Sequence, residues 1–117
     1  MGMEMIASYS SSKHAVKGLT ESLSSEFQRF NSRAADILPG VIDTPMISDD
    51  IRKSLPKDGI WRLISSHEIA KTVWNAYQSD KIHWYVPEEL EELEKEVAEN
   101  PQKARELLKT SGPLSND

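Results

Sequence analysis

The stretch of sequence that decides the fold spans residues 9–23 and reads Tyr9-Ser10-Ser11-Ser12-Lys13-His14-Ala15-Val16-Lys17-Gly18-Leu19-Thr20-Glu21-Ser22-Leu23. From this stretch through residue 30, apolar residues recur at steps of three and four, at Val16, Leu19, Leu23, Phe27 and Phe30. The spacing predicts one helix with a single apolar stripe. Extending that helix backwards places Tyr9 and Lys13, four residues apart, on about the same side as the stripe.

Tyr9 and Lys13 form a Tyr-x-x-x-Lys pair whose two groups have complementary chemistry. An ammonium fixed near a phenol stabilises the phenolate form. A phenol tuned in this way can give or take the proton of an alcohol near neutral pH. The spacing alone is equally compatible with a Tyr/Lys pair on a solvated helical turn, so the surrounding sequence must decide between the two interpretations.

The middle of the chain has the signals of a strand, a helix and a second strand. Residues 33–38 predict a brief strand that ends at a Pro-Gly turn, although Asp36 is unusual for a buried strand. Ser65 followed by Glu68 is a capping-box pattern, and the helix that it opens should end near Ser79. Residues 82–86 alternate like a strand and stop at a proline. Strand, helix and strand in this order predict parallel pairing.

Residues 45–64 and the carboxy-terminal tail complete the chain. We interpret residues 45–64 as a long connection with about one helical turn, a kind of segment that is more often functional or mobile than idle. The tail, residues 88–117, predicts an acidic helix with the seam Leu90, Leu93 and Val97, and then a last helix from Asn100-Pro101 through Leu107 and Leu108 to Gly112-Pro113. We therefore predict an α/β fold with about two parallel strands and four to five helices.

Charge and composition exclude several classes of protein. Residues 1–87 contain ten acidic and ten basic side chains and residues 88–117 contain nine and four, so the net charge of -5 lies in the tail. Without a basic stripe, nucleic acid and anionic lipid are poor partners. The chain has no cysteine, no basic segment before an apolar run at its start, and no apolar run of membrane-spanning length. The expected location is the cytoplasm, and the three separated histidines predict no metal site.

Three segments together resemble the short-chain dehydrogenase/reductase family, of the classical type. Residues 9–23 resemble its active-site helix nearly position by position, and residues 39–46, Pro-Gly-Val-Ile-Asp-Thr-Pro-Met, resemble its Pro-Gly-x-x-x-Thr segment. Residues 83–87, His-Trp-Tyr-Val-Pro, fit its last strand. The resemblance implies a partial Rossmann-like, doubly wound fold. Residues 1–87 would be the carboxy-terminal half of the family's domain, without its nucleotide-binding half, and residues 88–117 an acidic helical extension.

The resemblance also assigns roles to the Tyr/Lys pair. It implies that Tyr9 is the catalytic acid/base group. Lys13 would stabilise the phenolate and hydrogen-bond the ribose of the nicotinamide nucleotide. Both residues are therefore candidates for catalysis and for cofactor binding.

A second group of cofactor contacts is implied in the segment that resembles Pro-Gly-x-x-x-Thr. The backbone of Ile42 and the hydroxyl of Thr44 would hold the nicotinamide carboxamide, while Pro39 and Gly40 would shape the turn beneath the ring. Residues 45–64 would form the lid over the substrate.

The sequence also departs from the family pattern. Only eight residues precede Tyr9, and the family's catalytic serine lies further upstream than that. The five glycines, at positions 2, 18, 40, 59 and 112, never form the Gly-x-x-x-Gly-x-Gly turn that cradles a pyrophosphate. We therefore expect that NAD or NADP is the cofactor of a full-length family member and that this chain alone binds neither tightly.

Several functional hypotheses follow from the sequence. The first is an NAD(P)-dependent oxidoreductase that transfers hydride between nicotinamide and an alcohol or carbonyl substrate, present here as a truncated half that is inactive alone. The alternative is a catalytically silent remnant that acts as an association or binding module, and a weaker version of it uses the acidic tail. Because two strands cannot cover the apolar stripe, we also expect a homo-oligomer formed through the helix at residues 14–30. The substrate and the choice between NAD and NADP stay open.

Overall fold

A computed structural model describes residues 7–111 of the chain, and the side chains of residues 7–106. Its elements follow in the order α1 (Ala7–Phe27), a 3₁₀ turn (Gln28–Phe30), β1 (Asp36–Pro39), β2 (Val41–Ile42), α2 (Asp49–Ser54), β3 (Leu63–Ile64), α3 (Ser66–Tyr77), β4 (His83–Val86), α4 (Leu90–Glu99) and α5 (Pro101–Ser111). The α/β class and the number of helices are as predicted. The predicted stop at Gly112-Pro113 and the side chains of Leu107 and Leu108 lie outside the described residues.

The strands form two separate parallel pairs, β1 with β4 and β2 with β3. The predicted parallel pairing across residues 34–86 is confirmed, and its register runs from Asp36 opposite His83 to Pro39 opposite Val86. Pro39 closes β1, a position where a strand tolerates proline. The prediction of about two strands missed β2 and β3, because two residues each are too few to show an alternating pattern.

Helix α3 begins at the predicted capping box. The Ser65 hydroxyl accepts from the backbone N–H of Glu68 at 3.2 Å, and the Glu68 carboxylate accepts from the backbone N–H of Ser65 at 3.3 Å. Arg62 binds the same carboxylate with both guanidinium nitrogens, at 2.9 and 3.1 Å. This hydrogen bonding lowers the pKa of Glu68. The helix ends at Tyr77, slightly before the predicted Ser79.

The β1–β4 pair has α1 on one face and α3 on the other. On β4, His83 and Tyr85 bind side chains of α1. The alternate residues, Trp84 and Val86, line an open cleft together with α3. Because successive side chains of a strand point to opposite faces, the two helices lie on opposite sides of this pair.

The buried core is small and lies at the carboxyl ends of the strands. Its apolar members among the described side chains are Ile64, Val86, Leu90 and Ala104. Large apolar side chains of α1 and α3 are exposed, including Val16 and Leu19 on α1 and Val73, Trp74 and Tyr77 on α3. Both helices therefore leave part of their apolar surface without cover. None of the helices in the described part of the chain has the length and apolar character needed to cross a membrane.

Candidate active site

The first two turns of α1 carry the Tyr/Lys pair. The Nζ atom of Lys13 lies 5.2 Å from the centroid of the Tyr9 ring, within the range of a cation–π contact. The two side chains therefore share one side of the helix, as their spacing predicts. Tyr9 is 54% exposed, so its ring faces solvent in this chain.

The serines beside Tyr9 are occupied by the helix itself. The hydroxyl of Ser11 donates to the carbonyl oxygen of Ala7 at 2.8 Å, and that of Ser12 donates to the carbonyl oxygen of Tyr9 at 2.7 Å. Such bonds back to the preceding turn are usual for serine in helices. Both hydroxyls therefore have their hydrogen-bond acceptors within α1 itself.

Two polar contacts fix the direction of α1 on the sheet. Lys17 donates to the hydroxyl of Tyr85 at 3.1 Å, and one turn later Glu21 contacts His83 at 2.7 Å between Oε1 and Nε2. The residue number rises along the helix while it falls along the strand, so α1 runs antiparallel to β4. From Lys17 to Glu21 the helix advances by about 6 Å, and from Tyr85 to His83 the strand advances by roughly 6.6 Å. Because these distances are nearly equal, both contacts can form with the helix lying along the strand.

This register brings Lys13 to the carboxyl end of the strands. One further turn towards the start of α1 places Lys13 about 6 Å beyond Lys17, level with the residue that follows Val86. The bend at Pro39-Gly40 lies at the same end, because Pro39 pairs with Val86 and the backbone N–H of Gly40 donates to the carbonyl of Val86 at 2.8 Å. The Tyr/Lys helix turn and the Pro-Gly bend therefore share one end of the sheet.

Gly40 is tightly enclosed by its neighbours. A Cβ atom at this position would lie 3.4 Å from the carbonyl oxygen of Ile60, 3.4 Å from Cδ1 of Leu90 and 3.5 Å from Cδ1 of Ile64. Only a small residue therefore fits at the bend without moving the neighbouring backbone or the core.

Ile42 and Thr44 lie where the chain leaves the bend. Ile42 pairs with Ile64 in the second sheet, and the next backbone N–H, that of Asp43, donates to the carbonyl of Ile64 at 2.7 Å. The carbonyl of Thr44 accepts from the N–H of Ile47 at 3.0 Å, which forms a turn. The segment that resembles Pro-Gly-x-x-x-Thr is therefore held by backbone hydrogen bonds to β3 and to its own turn.

Arg52 is a residue of this region that the sequence did not reveal. From α2, its guanidinium binds the carboxylate of Asp43 at 3.0 Å and also lies 3.5 Å from the carbonyl of Thr44 and 3.4 Å from that of Ile47. The start of the predicted lid is thereby tied to the segment that it follows. No local pattern marks this arginine, because its partners are brought to it by the turn and not by helical spacing.

Asp36, the residue that seemed out of place in a buried strand, has a partner on the adjacent strand. Its Oδ1 lies 2.7 Å from Nδ1 of His83, and its side chain is only 8% exposed. The other ring nitrogen of His83 contacts Glu21, so one imidazole joins β1, β4 and α1.

The neighbouring contact, from Lys17 to Tyr85, involves the charged ammonium group of Lys17. Burial opposes the charge of Lys17, but the hydrogen bond to Tyr85 and the carboxylates of Glu94 and Glu21 outweigh it and raise the pKa of Lys17. Its ammonium lies 5.8 Å from the centroid of the Tyr85 ring. The Lys17 link between α1 and β4 is therefore a cation held among acidic groups.

The predicted site residues form an open surface and not a closed pocket. Two open clefts, of about 460 and 540 Å³, lie against β4, one beside α3 and the other between α1 and α4. The residues lining them do not include the six predicted ones, which are Tyr9, Lys13, Pro39, Gly40, Ile42 and Thr44. Within residues 7–106, no group of three or more potential metal-ligating side chains is assembled.

Comparison with known proteins gives one match. Residues 1–54 match the family model described as short chain dehydrogenase. No curated protein and no solved structure matches the chain. The matched segment contains both the Tyr-x-x-x-Lys helix and the Pro-Gly-x-x-x-Thr turn. The match covers 54 of the 117 residues and supports the interpretation of the chain as a fragment similar to short-chain dehydrogenases.

Proposed function

We propose that this chain provides the acid/base and nicotinamide-binding part of an NAD(P)-dependent oxidoreductase site that acts on an alcohol or carbonyl substrate. One observation carries the proposal: the Lys13 ammonium lies 5.2 Å from the Tyr9 ring, on a helix whose register with β4 brings Lys13 to the same end of the sheet as the Pro39-Gly40 bend. In this proposal residues 1–87 belong to the family's domain and residues 88–117 to an acidic extension, and the protein works in the cytoplasm.

The residues at this end of the sheet have the donors that a nicotinamide nucleotide requires. The Lys13 ammonium suits the ribose hydroxyls, whereas the Thr44 hydroxyl and the backbone of Ile42 suit the carboxamide. When bound, the nicotinamide gives a hydride to the carbonyl carbon or takes it from the alcohol carbon. Tyr9 gives its proton to the carbonyl oxygen in the first direction and takes the alcohol proton in the second, while the Lys13 charge stabilises the phenolate that is formed.

The 117 residues by themselves are proposed to be inactive. Their sequence has no glycine-rich turn for the pyrophosphate, and Gly59, the glycine with a left-handed φ of 88° within residues 7–111, stands alone in the predicted lid. Because the nicotinamide part would be the only anchored portion of the cofactor, we expect no tight binding of NAD or NADP. Calorimetric titration of the chain with each dinucleotide tests this, and a micromolar dissociation constant for either would contradict it.

The second candidate function, an association module, is favoured by the exposed apolar stripe of α1. Val16 and Leu19 of α1 are 49% and 57% exposed, although they follow the spacing of a buried helix face, and Phe30 in the 3₁₀ turn that follows α1 is 70% exposed. We propose that the helix at residues 14–30 covers this stripe against a second copy of the chain.

Sedimentation of the purified chain tests the association. We expect a dimer or larger species that Leu19→Glu reduces to a monomer, because a carboxylate in the stripe cannot be buried without a partner. Ser25→Glu is the matched control, since Ser25 is exposed and lies on the opposite side of α1 from Val16. A wild-type chain that sediments as a monomer would contradict this second function.

A further inference from the structure

Three elements that are far apart in sequence, α1, β4 and β1, meet where His83 contacts both Glu21 and Asp36. His83 lies 2.7 Å from a carboxylate oxygen on each side, from Glu21 on α1 and from Asp36 on β1. The Asp36 side chain is 8% exposed, that of His83 is 19% exposed and that of Glu21 is 55% exposed. The three side chains therefore form a row from the sheet interior to the outer surface of α1.

Apolar packing does little to determine where α1 sits on the sheet. Val16 and Leu19 are 49% and 57% exposed, Leu23 and Phe27 are partly buried, and Thr20, at 8% exposed, is the one buried residue of α1 among the described residues. Thr20 satisfies its hydroxyl within the helix, on the carbonyl of Val16 at 2.9 Å, and so makes no directional bond to a strand. A helix held in this way can slide or tilt unless polar contacts fix it, because hydrophobic contact is not directional.

The row of three side chains supplies one such fixed point, in addition to the Lys17–Tyr85 contact one turn earlier in α1. Asp36 and His83 are directly opposite each other in the register of β1 and β4, so the imidazole is anchored to the strand pair on which the Pro-Gly bend depends. The Glu21 carboxylate then reaches Nε2 of His83 at only one position of α1 along the strands, which we call the height of the helix. From that height, three turns of rigid helix lead back to Tyr9, and two turns lead to Lys13.

We propose that Glu21, His83 and Asp36 form a polar clasp that sets the height of α1 on the sheet and so positions Tyr9 and Lys13 beside the Pro39-Gly40 bend. In the terms of the proposed function, on which this inference rests, the three are positioning residues for the acid/base pair. They act through the helix and touch neither substrate nor cofactor.

The position of α1 can be measured directly, without any nucleotide. The chain contains no cysteine, so Ala15→Cys on the exposed side of α1 and Glu88→Cys after β4 allow two spin labels to be attached uniquely. Double electron–electron resonance then gives the distribution of distances between helix and sheet. In Glu21→Leu and in His83→Leu we expect the distribution to broaden by about twofold or to shift, as for an element released into local motion.

Two further variants separate positioning from general stability. Glu21→Gln keeps an oxygen that accepts from His83, so it should restore the wild-type distribution. Glu68→Leu removes the carboxylate half of the capping box of α3 and the Arg62 contact, both on an element other than α1, so it should lower stability and leave the distribution unchanged. Glu21 is largely exposed, so its variants test the clasp even if His83→Leu does not fold.

If Glu21→Leu gave the same distribution of spin-label distances as the wild type, the proposal of the clasp would be overturned. The same conclusion would follow if Glu68→Leu broadened the distribution as much as Glu21→Leu does. Neither result would bear on the nicotinamide proposal, because the measurement involves no cofactor, and a failed nucleotide titration would equally leave the clasp intact.

Discussion

Removing His83 should destabilise the chain far more than removing the aspartate that it binds. His83→Leu would leave the Asp36 carboxylate in a site where 8% of the side chain is exposed and where Oδ2 has no hydrogen-bond partner among the described residues. An unpaired buried charge of this kind costs about 3–5 kcal/mol. Asp36→Leu removes the charge itself and leaves His83 bound to Glu21, so its cost should be nearer 1–2 kcal/mol.

The double variant should recover much of the loss. In Asp36→Leu/His83→Leu, the two leucines face each other in the register of β1 and β4, and no carboxylate is left unpaired. We therefore expect the double variant to be more stable than His83→Leu alone, with a coupling energy between the two positions of at least about 2 kcal/mol.

Urea unfolding measures these free energies. Tryptophan fluorescence reports on Trp61, Trp74 and Trp84, of which Trp84 is next to His83 on β4, and circular dichroism follows the helices. The pair Arg62 and Glu68 serves as a control, because its side chains are 29% and 40% exposed and such pairs couple by about 1 kcal/mol or less. The reasoning is refuted if His83→Leu costs no more than Asp36→Leu, or if the coupling is as small as in the control pair.

Three other predictions concern the bend and the shifted pKa values of Glu68 and Lys17. Gly40→Val should cost about 1–3 kcal/mol in urea unfolding, because its side chain would be forced against the Ile60 carbonyl and Leu90, whereas Gly18→Ala, with open space around it, should cost nothing. Because the pKa of Glu68 is lowered in the folded chain, its carboxylate contributes to folding stability above the ordinary value of 4.5, and this contribution is lost as pH falls through the folded value. Wild type and Glu68→Gln should therefore approach equal stability in acid. Because the pKa of Lys17 is raised in the folded chain, its ammonium contributes to folding stability below 10.5, and this contribution is lost as pH rises above that value. The difference in stability between wild type and Lys17→Met should therefore shrink in alkali. A difference in stability that stays constant with pH would contradict the link to Tyr85.

The elements with strong local signals could be predicted from the sequence. The periodic apolar residues of α1, the capping box of α3 and the alternation before Pro87 each specify an element without help from distant residues. The parallel pairing of β1 and β4 followed from their order around α3. The side-by-side placement of Tyr9 and Lys13 followed from helical spacing alone.

The features that the sequence could not show depend on contacts between distant residues. β2 and β3 contain two residues each and exist as strands only because they pair with each other. Arg52 meets Asp43 through a turn, and His83 meets Asp36 across a separation of 47 residues. Asp36 was the one visible sign, since a carboxylate in a buried strand requires a partner, but the sequence did not say which one.

The central claim, that the end of the sheet beside Lys13 holds a nicotinamide nucleotide, is tested most directly by mapping two half-cofactors onto the chain. Nicotinamide mononucleotide and AMP are titrated separately into the ¹⁵N-labelled chain, and backbone amide shifts are followed by nuclear magnetic resonance. We expect nicotinamide mononucleotide, with a dissociation constant of about 1 mM as for a small ligand on an open surface, to shift Lys13, Gly40, Ile42 and Thr44. AMP should not change the amide shifts of these four residues. Equal shifts with AMP, or shifts with nicotinamide mononucleotide that avoid these four residues, would contradict the claim.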